Sequence, residues 1–336
     1  MDEVTWLLVG AGDIARRRVA PALVRAEKSR LVAVCDISEK AARDLAVTHG
    51  VETVYTDYAQ ALAETEADVV YLSTPQATHI ELSLQALAAG KHLLCEKPLG
   101  VNGDECLRLL RASRETDLVT SCSNYRRLSE QVKLTDAMLA RNEIGELTGG
   151  WAVYSTPFYN PGKHPILRSI GASRIKELGY YIIDIAHNAF GMPVEVMAKG
   201  TILHPEVMND VDELSTVILT FPGGQLFTIL FNCTSPGTRH ELEFFGTEGR
   251  IYWPEWPPHG DGPVIKITRK GTETFDVHTD ENYHLPMIED YVDAFLSGRP
   301  PLCTIESATR TEVITDAIFR SLDSGKTEPV LWEDEA

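Results

Sequence analysis

The chain has 336 residues, 43% hydrophobic and 24% charged, enough for two domains with separate cores and unlike a disordered, collagenous or disulfide-scaffold composition. A net charge of −18 disfavours nonspecific attraction to nucleic acid or to an anionic membrane. The six cysteines (Cys35, Cys95, Cys106, Cys122, Cys233, Cys303) form no CxxC pair, the acidic start lacks a signal-peptide pattern and no apolar run reaches membrane-spanning length, so the expected setting is a reducing cytoplasm, with no metal site.

In chain order, Val4 to Val9 has the pattern of a buried strand ending at Gly10, and residues 13–26 predict a helix that Pro21 should kink or tighten. Leu31 to Cys35 predicts a second strand, and Ser38 is placed to cap a helix running to Thr48. Short strands follow at 54–55, 68–72, 92–95 and 119–123, separated by helices at 57–64, 78–89 and 103–115, with Gly90 suited to end the second of these. Strands alternating with helices predict a parallel sheet covered on both faces.

Beyond about residue 125 the rhythm changes. A helix is expected over 128–141, then strands at 148–156, 195–203, 212–221, 224–232, 238–245 and 263–268, with Phe221-Pro222-Gly223-Gly224 as a hairpin turn. Both faces of the strand Leu214 to Phe221 carry apolar residues, as helices on one side and another subunit on the other would require. Helices at 173–190, 286–297 and 306–321 complete an α+β segment.

Gly10-Ala11-Gly12-Asp13-Ile14-Ala15 sits between the first strand and helix, as a dinucleotide-binding turn does. Gly10 permits the tight turn, Gly12 lets backbone N–H groups approach a pyrophosphate, and Ala15 lets the helix pack closely. Asp36, at the end of the second strand, has the spacing of the carboxylate that binds an adenosine ribose, which favours NAD without excluding NADP; the other reading is a turn or helix-cap residue. The fold class expected is therefore α/β: a Rossmann doubly wound parallel sheet over 1–125, then an α+β domain with an open, mainly antiparallel sheet over 126–336.

Ser73-Thr74-Pro75-Gln76-Ala77-Thr78-His79, then Ala89-Gly90-Lys91-His92 and Glu96-Lys97-Pro98, with Asn124-Tyr125-Arg126-Arg127 after the sixth strand, closely resemble the glucose–fructose oxidoreductase and inositol dehydrogenase (Gfo/Idh/MocA) family along essentially the whole chain. The resemblance implies hydride transfer between a nicotinamide and a sugar, polyol or related compound, and dimers or tetramers formed through the open sheet. It gives Lys97 the role of polarising the reacting oxygen, against the alternative of a surface lysine at a strand end. Glu96 is expected to position Lys97 or touch the nicotinamide side, Pro98 to fix the loop, and Thr74, Pro75 and Gln76 to flank the cofactor with Asp13 and Ile14. For His79 a structural hydrogen bond and a substrate role stand side by side.

Many relatives carry Asp-x-Gly-x-His-x-x-Asp in the second domain; here the stretch reads Glu177-Leu178-Gly179-Tyr180-Tyr181-Ile182-Ile183-Asp184. Tyr181 stands where the histidine would be and becomes the proton donor or acceptor, with Glu177 and Asp184 on the same helical face and Tyr180 as its competitor. The alternative is a core tyrosine beside solvated acids, and His187 is read as structural. Arg126, Arg127, Tyr159, Lys163, His164, Arg168 and Arg174 are the substrate-side candidates, while Trp253 and Trp256 are read as packing. A tightly held, recycling cofactor is a second reading. A dinucleotide-binding sensor or assembly protein that has lost catalysis is a third, supported by positions 177 and 181 and opposed by Lys97.

Overall fold

The structure is a computed structural model that describes residues 2–156, 175–208, 212–256 and 262–332, without the Glu177 side chain. Two compact units divide the chain: Met1–Leu128 with Asp280–Thr309, and Ser129–Thr279 with Arg310–Ala336.

The first unit is built on six parallel strands, β1 (Val4–Val9), β2 (Ser29–Cys35), β3 (Thr53–Tyr55), β4 (Val69–Leu72), β5 (His92–Cys95) and β6 (Thr120–Cys122), in the order β3-β2-β1-β4-β5-β6. All four residues of β4 are buried, as expected of a parallel strand covered on both faces. The order reverses between β1 and β4, which creates a crevice at their carboxyl ends. Ser38, Asp57 and Asn102 cap the following helices by accepting from Ala41, Gln60 and Glu105 N–H groups. The expected 13–26 helix is two pieces: Ala15–Val19 has π-helical winding, and Ala20–Arg25 is α-helical with Pro21 in its first turn. Pro21 has no N–H to donate into the preceding turn, which accounts for the change of winding.

Residues 280–309 return to the first unit. The His284–Ser297 helix packs in the first unit, with the Tyr291 ring 5.1 Å from Trp6 and the Tyr291 hydroxyl donating to the Val119 carbonyl at 3.0 Å. Cys303 offers its carbonyl to Cys122 N–H at 3.3 Å. Such pairings join residues far apart in the chain, so no local pattern announces them.

The second unit holds a nine-stranded mixed sheet. Its strands are β7 (Leu147–Ser155), β8 (Glu195–Thr201), β9 (Leu214–Thr220), β10 (Leu226–Asn232), β11 (Arg239–Gly246), β12 (Gly249–Trp253), β13 (Val264–Thr268), β14 (Gly271–Phe275) and β15 (Glu328–Pro329). Their order is β14-β13-β12-β11-β7-β10-β9-β8-β15, and only β7 and β10 pair in parallel. Strands β12, β14 and β15 were not expected. Within the chain β9 buries one face, through Ser215, Val217 and Leu219, and leaves Leu214 on the open face 37% exposed, so the covering inferred for both faces is present on one. Phe190, at the end of the Tyr180–Phe190 helix, stacks on Phe221 at 4.9 Å and meets Phe227 and Phe244 near 6 Å. Trp253 and Trp256 are fully buried, and Trp253 donates to Thr135, so both serve packing.

Candidate active site

In the first unit the candidate residues gather at the carboxyl ends of β1, β2, β4 and β5. Gly10 has φ +94°, and a Cβ there would lie 2.6 Å from the Ser73 carbonyl oxygen, so only glycine fits. Ser73 donates to the Gly10 carbonyl at 2.8 Å and ties this turn to the end of β4. A Cβ at Gly12 would meet nothing within 4 Å, so the backbone there faces open space that a diphosphate can approach. Asp36 accepts from Ala11 N–H and from Ser38 N–H, both at 2.7 Å. The carboxylate thus braces the glycine turn against the end of β2, and its remaining lone pairs are suited to ribose hydroxyls. These features fit a dinucleotide. Asp13 is exposed and pairs with Arg17 at 3.1 Å, and Ile14 is 39% exposed.

Lys97 follows β5, and the Lys97–Pro98 peptide is cis. The Glu96 carboxylate points inward and is 5% exposed. One oxygen accepts from the Tyr71 hydroxyl at 2.7 Å and from His284 Nε2 at 2.9 Å, and the other accepts from Lys97 N–H at 3.2 Å. Burial pushes Glu96 toward protonation, but the imidazole of His284, the Tyr71 hydroxyl and Lys97 more than offset this and hold it below the ordinary carboxylate range. Burial beside this carboxylate drives Tyr71 well above the usual phenol value, so its hydroxyl stays a donor. Of the two roles expected for Glu96, holding Lys97 is the one this geometry supports. The His284 ring lies tilted against Tyr125, 4.7 Å between centroids, and has no signal in the sequence, since 188 positions separate it from Glu96.

His79 is buried, with its two ring nitrogens each 2.9 Å from a main-chain carbonyl, Nδ1 from Pro98 and Nε2 from Thr74. That assigns it the structural one of its two readings. Burial lowers its pKa below the ordinary histidine value, against the pull of these carbonyls and of Glu96. Gln76 donates to the Gly100 carbonyl at 2.5 Å, and Pro75 caps the short turn that leads into the His79–Ala88 helix. Arg126, expected beside substrate, is buried in the Tyr125–Leu128 turn. Arg127 is half-buried there.

In the second unit Ile175–Gly179 is wound as a π-helix and Tyr180–Phe190 as an α-helix, so the uniform i, i+4 step assumed from 177 to 181 does not apply. Gly179 lets this helix press on the sheet: a Cβ there would meet the Phe231 ring at 2.5 Å. Tyr180 and Tyr181 are buried with their rings perpendicular and 6.4 Å apart. Asp184 is buried rather than solvated, accepting from the Thr311 hydroxyl at 3.2 Å, while His187 Nε2 contacts the same hydroxyl at 3.0 Å. His187 is structural, as read from the sequence. Lys176 and Glu312 form a buried ion pair at 3.1 Å that the sequence did not reveal. Glu177's side chain, Tyr159, Lys163, His164, Arg168 and Arg174 lie outside the described residues.

All six cysteines are buried, and none is in a disulfide. Among the described residues no group of three or more His, Cys, Asp or Glu could hold a metal ion, and no helix is long and apolar enough to cross a membrane.

Comparison with known proteins agrees with this geometry. Residues 4–124 match the GFO_IDH_MocA oxidoreductase family, NAD-binding Rossmann fold, and residues 132–252 match the GFO/IDH/MocA C-terminal domain. An uncharacterized oxidoreductase, ORF334, of Rhizobium meliloti is 30% identical, covering 98% of this chain and 100% of its own. The dTDP-3,4-didehydro-2,6-dideoxy-alpha-D-glucose 3-reductase of Actinomadura kijaniata is 28% identical over 93% of each chain. Levoglucosan dehydrogenase in complex with NADH and levoglucosan superposes with a TM-score of 0.87 at 20% identity, covering 98% of this chain and 99% of that one.

Proposed function

The chain belongs to the Gfo/Idh/MocA oxidoreductase family, and from that premise we propose that it moves a hydride between NAD and a hydroxyl or keto carbon of a sugar, polyol or related compound. The observation that carries this reading is the Glu96-Lys97-Pro98 turn at the carboxyl end of β5, its carboxylate locked by Tyr71, His284 and the Lys97 N–H. When bound, the nicotinamide supplies the hydride acceptor or donor. Gly10, Gly12 and the first helix receive the diphosphate, Thr74 and Pro75 flank the dinucleotide, and Asp36 takes the adenosine ribose. The Asp36 carboxylate repels a 2′-phosphate, which favours NAD over NADP.

Lys97 holds the reacting oxygen by a hydrogen bond from its ammonium group and stabilises the negative charge that develops there. Tyr181 exchanges the proton of that oxygen. Asp184, through Thr311, keeps the tyrosine-bearing helix in place, and Glu177 is the second supporting carboxylate. Tyr159, Lys163 and Arg168 form the substrate side. The open face of the nine-stranded sheet, with Met197, Leu214 and Leu226 exposed, is the surface on which a second copy would associate, and the expected location is the cytoplasm.

Lys97→Met keeps the side-chain length and removes the ammonium. Turnover of levoglucosan or another sugar or polyol found by screening with NAD should fall at least a hundredfold, on the order of removing one charge-stabilising donor. Calorimetric NAD affinity should stay near that of the parent. Near-normal turnover would remove Lys97 from the chemistry, and absence of NAD uptake by the folded parent protein would end the reading altogether.

A further inference from the structure

The loops that leave β4 and β5 carry the cofactor-side residues Thr74 and Pro75 and the Lys97–Pro98 turn, and one buried side chain touches both. His79 is 1% exposed, with Nδ1 2.9 Å from the Pro98 carbonyl and Nε2 2.9 Å from the Thr74 carbonyl. A carbonyl oxygen only accepts, so a hydrogen bond there needs a ring N–H. The neutral ring, which burial favours, donates to one carbonyl and packs against the other, filling the space between the two loops. The ring is sealed from solvent, so water does not replace a contact that is lost.

We propose that His79 is a positioning residue for Lys97, setting the spacing between the Thr74–Pro75 loop and the Lys97–Pro98 turn. The inference rests on the reading of Lys97 as the group that polarises the reacting oxygen. Glu96 fixes the start of the turn through Tyr71 and His284, and His79 fixes its end through the Pro98 carbonyl. The ammonium therefore projects from a turn held on both sides. A displacement of about 1 Å at a reacting centre costs on the order of a hundredfold in rate, so the spacing between these loops is worth holding with a buried polar ring.

Two variants separate a bridge from a single contact. In His79→Asn the amide nitrogen takes the place of Nδ1 and can serve Pro98 alone. In His79→Gln it takes the place of Nε2 and can serve Thr74 alone. Both keep one donor and lose the ring atoms that pack against the other loop. Each should fold, bind NADH within about threefold of the parent and lose roughly ten- to a hundredfold in kcat with little change in KM, the pattern of displaced rather than missing chemistry. Hydrogen–deuterium exchange of the main-chain amides around Glu96 to Gly100 needs no substrate, and it should quicken in both variants. Either variant with parental kcat, or parental exchange in both, overturns the proposal. Lys97→Met is the control: if it turns over normally the functional reading fails, whereas the exchange result still decides the bridge.

Discussion

Replacing Glu96 tests whether the active-site turn is built around a buried carboxylate. Three donors converge on it: the Tyr71 hydroxyl at 2.7 Å, His284 Nε2 at 2.9 Å and Lys97 N–H at 3.2 Å. Tyr71 and His284 are fully buried, so water cannot take over as acceptor. A buried donor left without a partner costs about 1–3 kcal/mol, and the three overlap, so Glu96→Ala should lose roughly 3–5 kcal/mol of stability. Glu96→Gln keeps the volume and one acceptor oxygen but turns an amide N–H toward the Lys97 N–H, for a loss of about 1–2 kcal/mol. His284→Phe keeps the ring against Tyr125 and removes one donor to a charged acceptor, for about 1.5–3 kcal/mol. Urea unfolding of the two single variants Glu96→Gln and His284→Phe and of their double mutant should show a coupling of at least ~1 kcal/mol. A loss under ~1 kcal/mol for Glu96→Ala, or strict additivity in the cycle, would refute this account of the turn.

Burial lowers the His240 pKa from 6.5 to about 4, so as pH falls the unfolded chain takes up this proton first; stability is full above pH 6.5 and is lost between there and about 4. By a pH of about 5 the loss is roughly 2 kcal/mol, and His240→Phe, which keeps the stack on Tyr154, should show a shallower acid decline in urea unfolding than the parent. Lys176→Met removes the cation paired with buried Glu312 and should cost about 3–5 kcal/mol, much of it recovered in the double variant with Glu312→Leu; calorimetric melting measures both. Asp36→Ala should weaken NAD binding about ten- to a hundredfold and narrow the gap between NAD and NADP, read by titration calorimetry with each dinucleotide.

The parallel sheet was legible because short strands, apolar at the centre of the sheet as in β1 and β4, alternate with capped helices. Gly10 was legible because its position relative to β1 leaves glycine as the fitting residue. The nine-stranded sheet was legible only in part. Four of the five residues of β14 are polar or small, with Phe275 the exception, β12 opens with Gly249 and Arg250, and β15 has two residues, so none carries a decisive alternation. The candidate site could be proposed from sequence where its signal is local, as at Gly10, Asp36 and Lys97. It was read least well where the supporting atoms are remote in sequence: Tyr71 and His284 for Glu96, Thr311 for Asp184 and Glu312 for Lys176. The direction in which Asp184 faces could not be inferred from spacing, because its partner lies on another helix.

The return of residues 280–309 has a consequence for how the protein is made. A ribosome that has released the first 128 residues has delivered every strand of the six-stranded sheet, yet the Glu96 carboxylate still lacks its imidazole, Trp6 the Tyr291 ring and the edge strand its Cys303 carbonyl. The nucleotide-binding half therefore cannot finish folding ahead of the rest, as an N-terminal domain ordinarily does during synthesis. It waits for the intervening segment to emerge, and a fragment cut at residue 128 would be a nascent intermediate rather than a miniature of the enzyme.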